Sequence, residues 1–265
     1  MTALLLGMCA VAQKPTEINL WPDGPRTDNG DPQDTAKVLV FLPAEGQATG
    51  RAVVCCPGGG YQHLSMDKEG TSWAPFFCGQ GIALIVLKYR MPHGHPAVPA
   101  ADAEEAMRLV RRHAGEWHVN PHDVGIMGFS AGGHLASTIA THATGDAKPD
   151  FQLLFYPVIS MEQGTTHQGS RTHLLGRSPK RKLVNHYSNE QHVSKHTPRA
   201  FLALADDDRA VPPINSVSYY EALNQCQVPA ALHVYPSGGH GFGSLPSFRY
   251  HLELMLDLKA WLSSF

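Results

Sequence analysis

Cysteine, charge and long apolar runs are all scarce in this 265-residue chain, and each scarcity removes a class of protein. There are five cysteines, and setting aside Cys9 near the amino terminus leaves Cys55, Cys56, Cys78 and Cys226. These are too few and too irregularly spaced for a disulfide framework, so they read as buried thiols. Charged residues make up 17% of the chain, where an ordinary globular domain has about 25%. Lys and Arg number 21 against 23 Asp and Glu. With no basic run, nucleic acid is not an expected partner. No apolar stretch approaches the roughly 20 residues of a bilayer-spanning helix, and no internal repeat or low-complexity tract appears. The 16 histidines invite a metal hypothesis, but no His-Glu-x-x-His or Cys-x-x-Cys pair is present. His93 and His95, flanking Gly94 in a proline-rich loop, are a weak pair, so no metal site is expected.

What the chain does have begins with the apolar segment 3–12, which ends in Ala10-Val11-Ala12. Its length and small-residue ending suit a secretory signal at 1–12, although only Met1 and Thr2 precede it and neither is basic. Residues 13–265 then form one domain, a length that α/β folds commonly use as a single unit. Apolar and β-branched runs recur at 37–42, 51–56, 83–87, 124–127, 151–156, 200–205 and 230–235. Most are unbroken, as strands of a parallel sheet covered on both faces must be. Helical patterns lie at 71–78, 101–113, 133–142, 214–224 and 248–262. In the second, Ala103, Ala106, Met107, Val110 and Ala114 form one apolar stripe, and Arg108, Arg111 and Arg112 read as a solvated face. The alternation predicts a mostly parallel, doubly wound sheet with helices on both faces. Residues 159–198 break the alternation: they are polar, rich in Gly, Ser, His and Arg, and lack a convincing strand. A segment this long in a compact domain is usually functional or separately folded, here as a small cap with helical pieces near 179–187 or as a surface excursion.

The chemistry centres on Gly128-Phe129-Ser130-Ala131-Gly132, which stands between a strand-like and a helix-like run. In that context Gly-x-Ser-x-Gly describes a sharp turn that exposes the serine hydroxyl at a sheet end, beside the positive end of a helix. Serine is a poor nucleophile at neutral pH, so it needs a base held by a third group. The run 200–205 ends in Asp206-Asp207-Asp208, and 230–235 is followed by a glycine-rich loop carrying His240. Both therefore sit where a strand stops, but the residue types alone leave the acid open among the three aspartates. Pro57-Gly58-Gly59-Gly60-Tyr61 follows the strand at 51–56 and can present backbone amides to a developing oxyanion. One or two of the Gly59, Gly60 and Tyr61 amides, with that of Ala131, are the expected donors.

From about Trp21 onward the chain resembles the acetyl xylan esterase-like branch of the α/β-hydrolases. The likeness rests on Pro57-Gly58-Gly59-Gly60-Tyr61, Lys88-Tyr89-Arg90, the elbow extended through Gly133-His134-Leu135-Ala136-Ser137, and Gly239-His240-Gly241-Phe242-Gly243. The resemblance implies the α/β-hydrolase fold and a secreted or periplasmic carbohydrate esterase. It would remove O-acetyl groups from acetylated oligo- or polysaccharide through Ser130, His240 and an aspartate, without metal or cofactor. Asp-x-x-Val-Pro is the form of the acid loop in these hydrolases, which favours Asp208, with Asp207 as runner-up. Esterases related to hormone-sensitive lipase carry His-Gly-Gly-Gly at the glycine loop, where this chain has Pro57, so any role of that imidazole is absent. Three other readings stay open: a general short-chain acyl esterase, a peptidase of the prolyl oligopeptidase type, and a non-enzymatic binding protein on the same fold. The peptidases generally carry a large accessory domain, for which 265 residues leave no room.

Overall fold

In the computed structural model, which describes residues 14–265, eight strands form one twisted sheet. They are β1 (Thr16–Asn19), β2 (Lys37–Phe41), β3 (Ala52–Cys56), β4 (Ala83–Lys88), β5 (Val124–Phe129), β6 (Phe151–Phe155), β7 (Arg199–Ala205) and β8 (Ala230–Tyr235). Their order across the sheet is β1-β2-β4-β3-β5-β6-β7-β8. The pairs β1/β2 and β2/β4 are antiparallel and all the others parallel. The helices are α1 (Ala74–Cys78), α2 (Ala97–Arg112), α3 (Ser130–His142), α4 (Gln168–Leu175), α5 (Arg181–His186), α6 (Ile214–Gln225) and α7 (His251–Leu262). The apolar segment 1–12 lies outside the described residues.

Strands β3, β5 and β6 are buried at every residue because alternate side chains enter two separate cores. Val54, Cys56 and Ile126 pack with Met107 of α2, Leu135 and Ile139 of α3 and Leu223 of α6. Val53, Cys55, Met127 and Phe129 pack on the other face with Phe77 of α1 and Leu254 and Leu258 of α7. Cys55 and Cys56 are thus buried free thiols, while Cys78 and Cys226 are partly exposed. The Arg face of α2 is held by ion pairs, Arg108 with Glu104, Arg112 with Glu105 and Arg111 with Asp150. Strand β8 is only partly buried, because it closes the sheet and one of its edges is unpaired.

Segment 159–198 is folded onto the body. Met161, Leu174, Leu175, Val184 and Tyr187 are buried and join the core beside α3. The fully buried Asn189 donates to the His134 carbonyl (3.1 Å), Ser137 Oγ (2.7 Å) and Thr138 Oγ1 (3.0 Å), tying the segment to α3. Parallel register brings the carboxyl ends of β3, β5, β6, β7 and β8 to one edge, with Cys56 beside Gly128, Phe129 beside Phe155 and Ala205 beside Tyr235. Every loop with chemical content leaves from that edge.

Candidate active site

Ser130 begins α3 directly after β5, with φ of 52°. A non-glycine residue rarely adopts that left-handed value, and the surrounding packing holds it there. Gly128 and Gly132 make the turn possible by close approach. A Cβ on Gly128 would collide with the Gly132 carbonyl, and one on Gly132 with the Cys56 and Pro57 carbonyls. Ser130 Oγ lies 2.8 Å from His240 Nε2, and His240 Nδ1 lies 2.7 Å from Asp208 Oδ2. Because an ionised carboxylate only accepts, Asp208 fixes the Nδ1–H tautomer and leaves Nε2 free to accept the serine proton.

The three aspartates separate by direction. Asp208 is buried, and its Oδ1 accepts from the Ala210 and Val211 amides at 2.9 and 3.0 Å while Oδ2 faces His240. Asp207 is exposed and accepts from the Gly239 amide at 2.7 Å, supporting the histidine loop from outside. Asp206 is also exposed.

At the glycine loop, the Gly58 amide is committed to Glu69 Oε2 (3.0 Å). The Gly59, Gly60 and Tyr61 amides meet no acceptor among the described residues. Gly59 and Gly60 line the same pocket as Ser130 and His240, which puts them in reach of an oxyanion. The Ala131 amide belongs to the first turn of α3, whose N–H groups have no partner within the helix. Tyr61 does not line the pocket. Its buried ring points into the core and its hydroxyl donates to His134 Nδ1 at 2.9 Å, while His134 Nε2–H donates to the Tyr187 carbonyl at 2.8 Å. Burial pushes His134 down to about 4, so it is neutral at pH 7 and suited to this accept-and-donate position.

Several site residues were not found from sequence. Glu69, buried beside the pocket, accepts from Tyr156 Oη at 2.8 Å with Oε1 and from Gly58 with Oε2. Tyr156 Oη in turn accepts from the Gly243 amide at 2.9 Å, and its ring packs edge-on against His240 at 4.9 Å. One carboxylate thereby joins the glycine loop to the histidine loop. Tyr89, within the Lys88-Tyr89-Arg90 motif, donates to the Pro57 carbonyl at 2.8 Å. Arg90 forms a buried pair with Asp102, 2.6 Å apart, which also accepts from Trp21 Nε1 at 2.7 Å. From segment 159–198, His173 Nδ1 donates to the Gly60 carbonyl at 2.8 Å and His167 faces the pocket. Position 156 carried one signal, since it directly follows a strand at the active edge, and Tyr89 and Arg90 lay in a motif already singled out; the others are long-range pairings with no local pattern.

The pocket has a volume of ≈ 470 Å³ and is walled by Gln62, His63, Lys68, His167 and His173 beside Gly59, Gly60, Ser130 and His240. Its walls carry several polar side chains.

A serine on a strand-to-helix elbow, hydrogen-bonded to a histidine and aspartate that follow it in that chain order on this sheet, defines the α/β-hydrolase class. Within it, a family model described as BD-FAE matches residues 39–223, and the chain belongs to that family. It is 43% identical over 267 residues to an acetylxylan esterase of Xylanibacter ruminicola, covering 98% of this chain and 53% of that protein. It is 32% identical over 200 residues to endo-1,4-beta-xylanase B of Butyrivibrio fibrisolvens, covering 70% of this chain and 31% of that protein. The chain thus spans about half or less of the length of these relatives. Among solved structures, an acetyl ester-xyloside bifunctional hydrolase from Caldicellulosiruptor lactoaceticus superposes with a TM-score of 0.88 at 34% identity, covering 96% of this chain and 98% of that one.

Proposed function

We propose that this protein is a serine carboxylesterase that removes O-acetyl groups from acetylated xylan-type oligo- or polysaccharide. The observation that carries this reading is the Ser130–His240–Asp208 relay opening into a pocket that carries polar side chains, beside glycine-loop amides that meet no acceptor among the described residues. Ser130 Oγ attacks the acetyl carbonyl while His240 Nε2 takes its proton, and Asp208 stabilises the resulting imidazolium. The Gly59, Gly60 and Ala131 amides hold the oxyanion. As the tetrahedral species collapses, the ester C–O bond breaks and His240 returns the proton to the departing sugar hydroxyl. Water then repeats the cycle on acetyl-Ser130, releasing acetate. The names of the relatives support the acetyl group and the xylan-type substrate. The pocket supports them too, since imidazoles, an amide and an ammonium suit a hydroxylated ligand better than a long acyl chain. We also propose export to the periplasm or the medium, on the strength of segment 3–12, to be checked by fractionating expressing cells.

The test is acetate release from acetylated xylo-oligosaccharides, with Ser130→Ala as control. Release that disappears in a folded Ser130→Ala protein is the expected result. A Ser130→Ala protein keeping a tenth of the wild-type turnover would remove Ser130 as nucleophile. Cleavage of small chromogenic acetates without any release from the glycan would move the substrate to general short-chain esters.

A further inference from the structure

The carboxyl end of α3 carries a second group of functional side chains. His142, at the last position of α3, meets His186 at the end of α5 and His192 just after the short 3₁₀ turn Asn189–Gln191. One ring nitrogen from each lies within 4.8 Å of the other two. Ring centroids are 4.6 Å apart for His142 with His186 and for His142 with His192.

Hydrogen bonding sets the tautomers. His142 Nδ1 is 2.8 Å from Thr141 Oγ1, which gives its own hydrogen to the Ser137 carbonyl at 2.7 Å, and 3.1 Å from the Thr138 carbonyl; both accept, so Nδ1 carries the proton and Nε2 a lone pair. That Nε2 is buried and has no hydrogen-bond partner of good geometry among the described residues, although the His186 main chain lies beside the ring. His192 Nε2 is 2.8 Å from the Asn185 carbonyl and by the same argument donates, leaving its Nδ1 lone pair free. Ligating histidines commonly have one N–H held by a backbone carbonyl, which orients the ring and leaves the other nitrogen for the metal. His186 is exposed and provides the entry path.

We propose that His142, His186 and His192 form a binding site for a divalent transition-metal ion of the imidazole-preferring class, with Zn²⁺ as the representative probe and water in the remaining position. Zn–N bonds of about 2.0–2.1 Å in a tetrahedral site place nitrogens roughly 3.3 Å apart. The imidazoles must therefore close by about 1.5 Å at most, within reach of side-chain rotation.

The site is separate from the esterase centre. Ser130 and His142 begin and end the same helix, about 18 Å apart at 1.5 Å per residue. His186 and His192 come from segment 159–198, the segment that also supplies His167 and His173 to the substrate pocket. A bound ion would therefore clip that segment to α3.

The experiment is equilibrium dialysis of the full chain against Zn²⁺ alone, with metal analysis, and thermal unfolding with and without Zn²⁺. One Zn²⁺ per chain at micromolar concentration, with a raised Tm, is expected. His142→Ala and His192→Ala should weaken binding by at least about tenfold, and so should His186→Ala, whose exposed side chain can be removed with little risk to folding. His93→Ala with His95→Ala should leave binding unchanged. Absence of stoichiometric zinc, or equal retention by folded His186→Ala, would overturn the assignment.

Discussion

Asp208→Asn changes one atom pair, and the structure dictates how the new amide must lie. Asp208 Oδ1 accepts from the Ala210 and Val211 amides at 2.9 and 3.0 Å, and Oδ2 faces His240 Nδ1 at 2.7 Å. Two fixed N–H donors will hold the carbonyl oxygen of Asn in the Oδ1 position, which turns its NH₂ group toward His240. Nδ1 must then accept rather than donate, so the imidazole proton moves to Nε2 and points at Ser130 Oγ. The base is lost although no side chain has moved. A wrong histidine tautomer in a triad of this kind lowers kcat by about 10⁴-fold, equivalent to about 5 kcal/mol in the barrier. Asp207→Asn makes a clean comparison. Its carbonyl oxygen still accepts from the Gly239 amide, the side chain is exposed, and kcat should stay within about threefold of wild type. The assay is acetate release at saturating substrate, with thermal unfolding to show that both variants fold. Asp208→Asn within tenfold of wild type, or Asp207→Asn as the more damaged variant, would refute the reasoning and move the acid.

Tyr156→Phe keeps the ring against His240 but leaves the Gly243 amide and one oxygen of buried Glu69 without a partner. It should cost about 2–4 kcal/mol in urea unfolding and lower kcat more than it raises KM; unchanged stability would contradict the network. Asp102→Ala strands the Arg90 guanidinium, only 3% exposed, and should cost about 3–5 kcal/mol; a loss under about 1 kcal/mol would mean that water reaches Arg90. His134 is pushed down to about 4 from an ordinary value near 6.5, so between those limits the unfolded chain binds a proton that the folded one refuses. Its contribution to stability is therefore full above pH 6.5 and is lost as pH falls toward 4, by up to about 3 kcal/mol. The gap in urea stability between wild type and His134→Gln should narrow over that range, and parallel pH profiles would refute this.

The central strands could be read from sequence because burial on both faces leaves an apolar residue at nearly every position, as in Ala52–Cys56. The elbow was legible because its glycines are required by backbone contacts that admit no side chain. Strand β1 was missed: Thr16–Asn19 is short and mostly exposed, and only pairing with β2 makes it a strand. Helix α4 was missed within a polar segment because its few buried residues, such as Leu174 and Leu175, face a core supplied by α3. Three adjacent aspartates are equivalent in composition, and only the turn after β7 decides which of them is buried against His240. The histidine cluster escaped for a similar reason. Its members are 44 and 6 positions apart along the chain, as the numbers 142, 186 and 192 show, and metal motifs are recognisable in sequence only when the spacing is local.

An oxyanion loop must combine two opposed properties. Glycines let the backbone come close to the substrate, yet free glycines sample many conformations, and electrostatic stabilisation of a transition state needs donors that are already in place. This chain meets the conflict by fastening each residue around the donors to something rigid. The Pro57 carbonyl is held by Tyr89, the Gly58 amide by Glu69, the Gly60 carbonyl by His173 and the Tyr61 hydroxyl by His134. The Gly59 and Gly60 amides are left with no acceptor among the described residues, which is the state an oxyanion requires. Of these four anchors, Tyr89 belongs to the core, His134 is fixed on α3, Glu69 also secures the histidine loop through Tyr156, and His173 comes from segment 159–198. Movement of that segment is therefore coupled directly to the glycine loop. Loosening the segment should act on the barrier through donor placement even though none of its residues takes part in proton transfer.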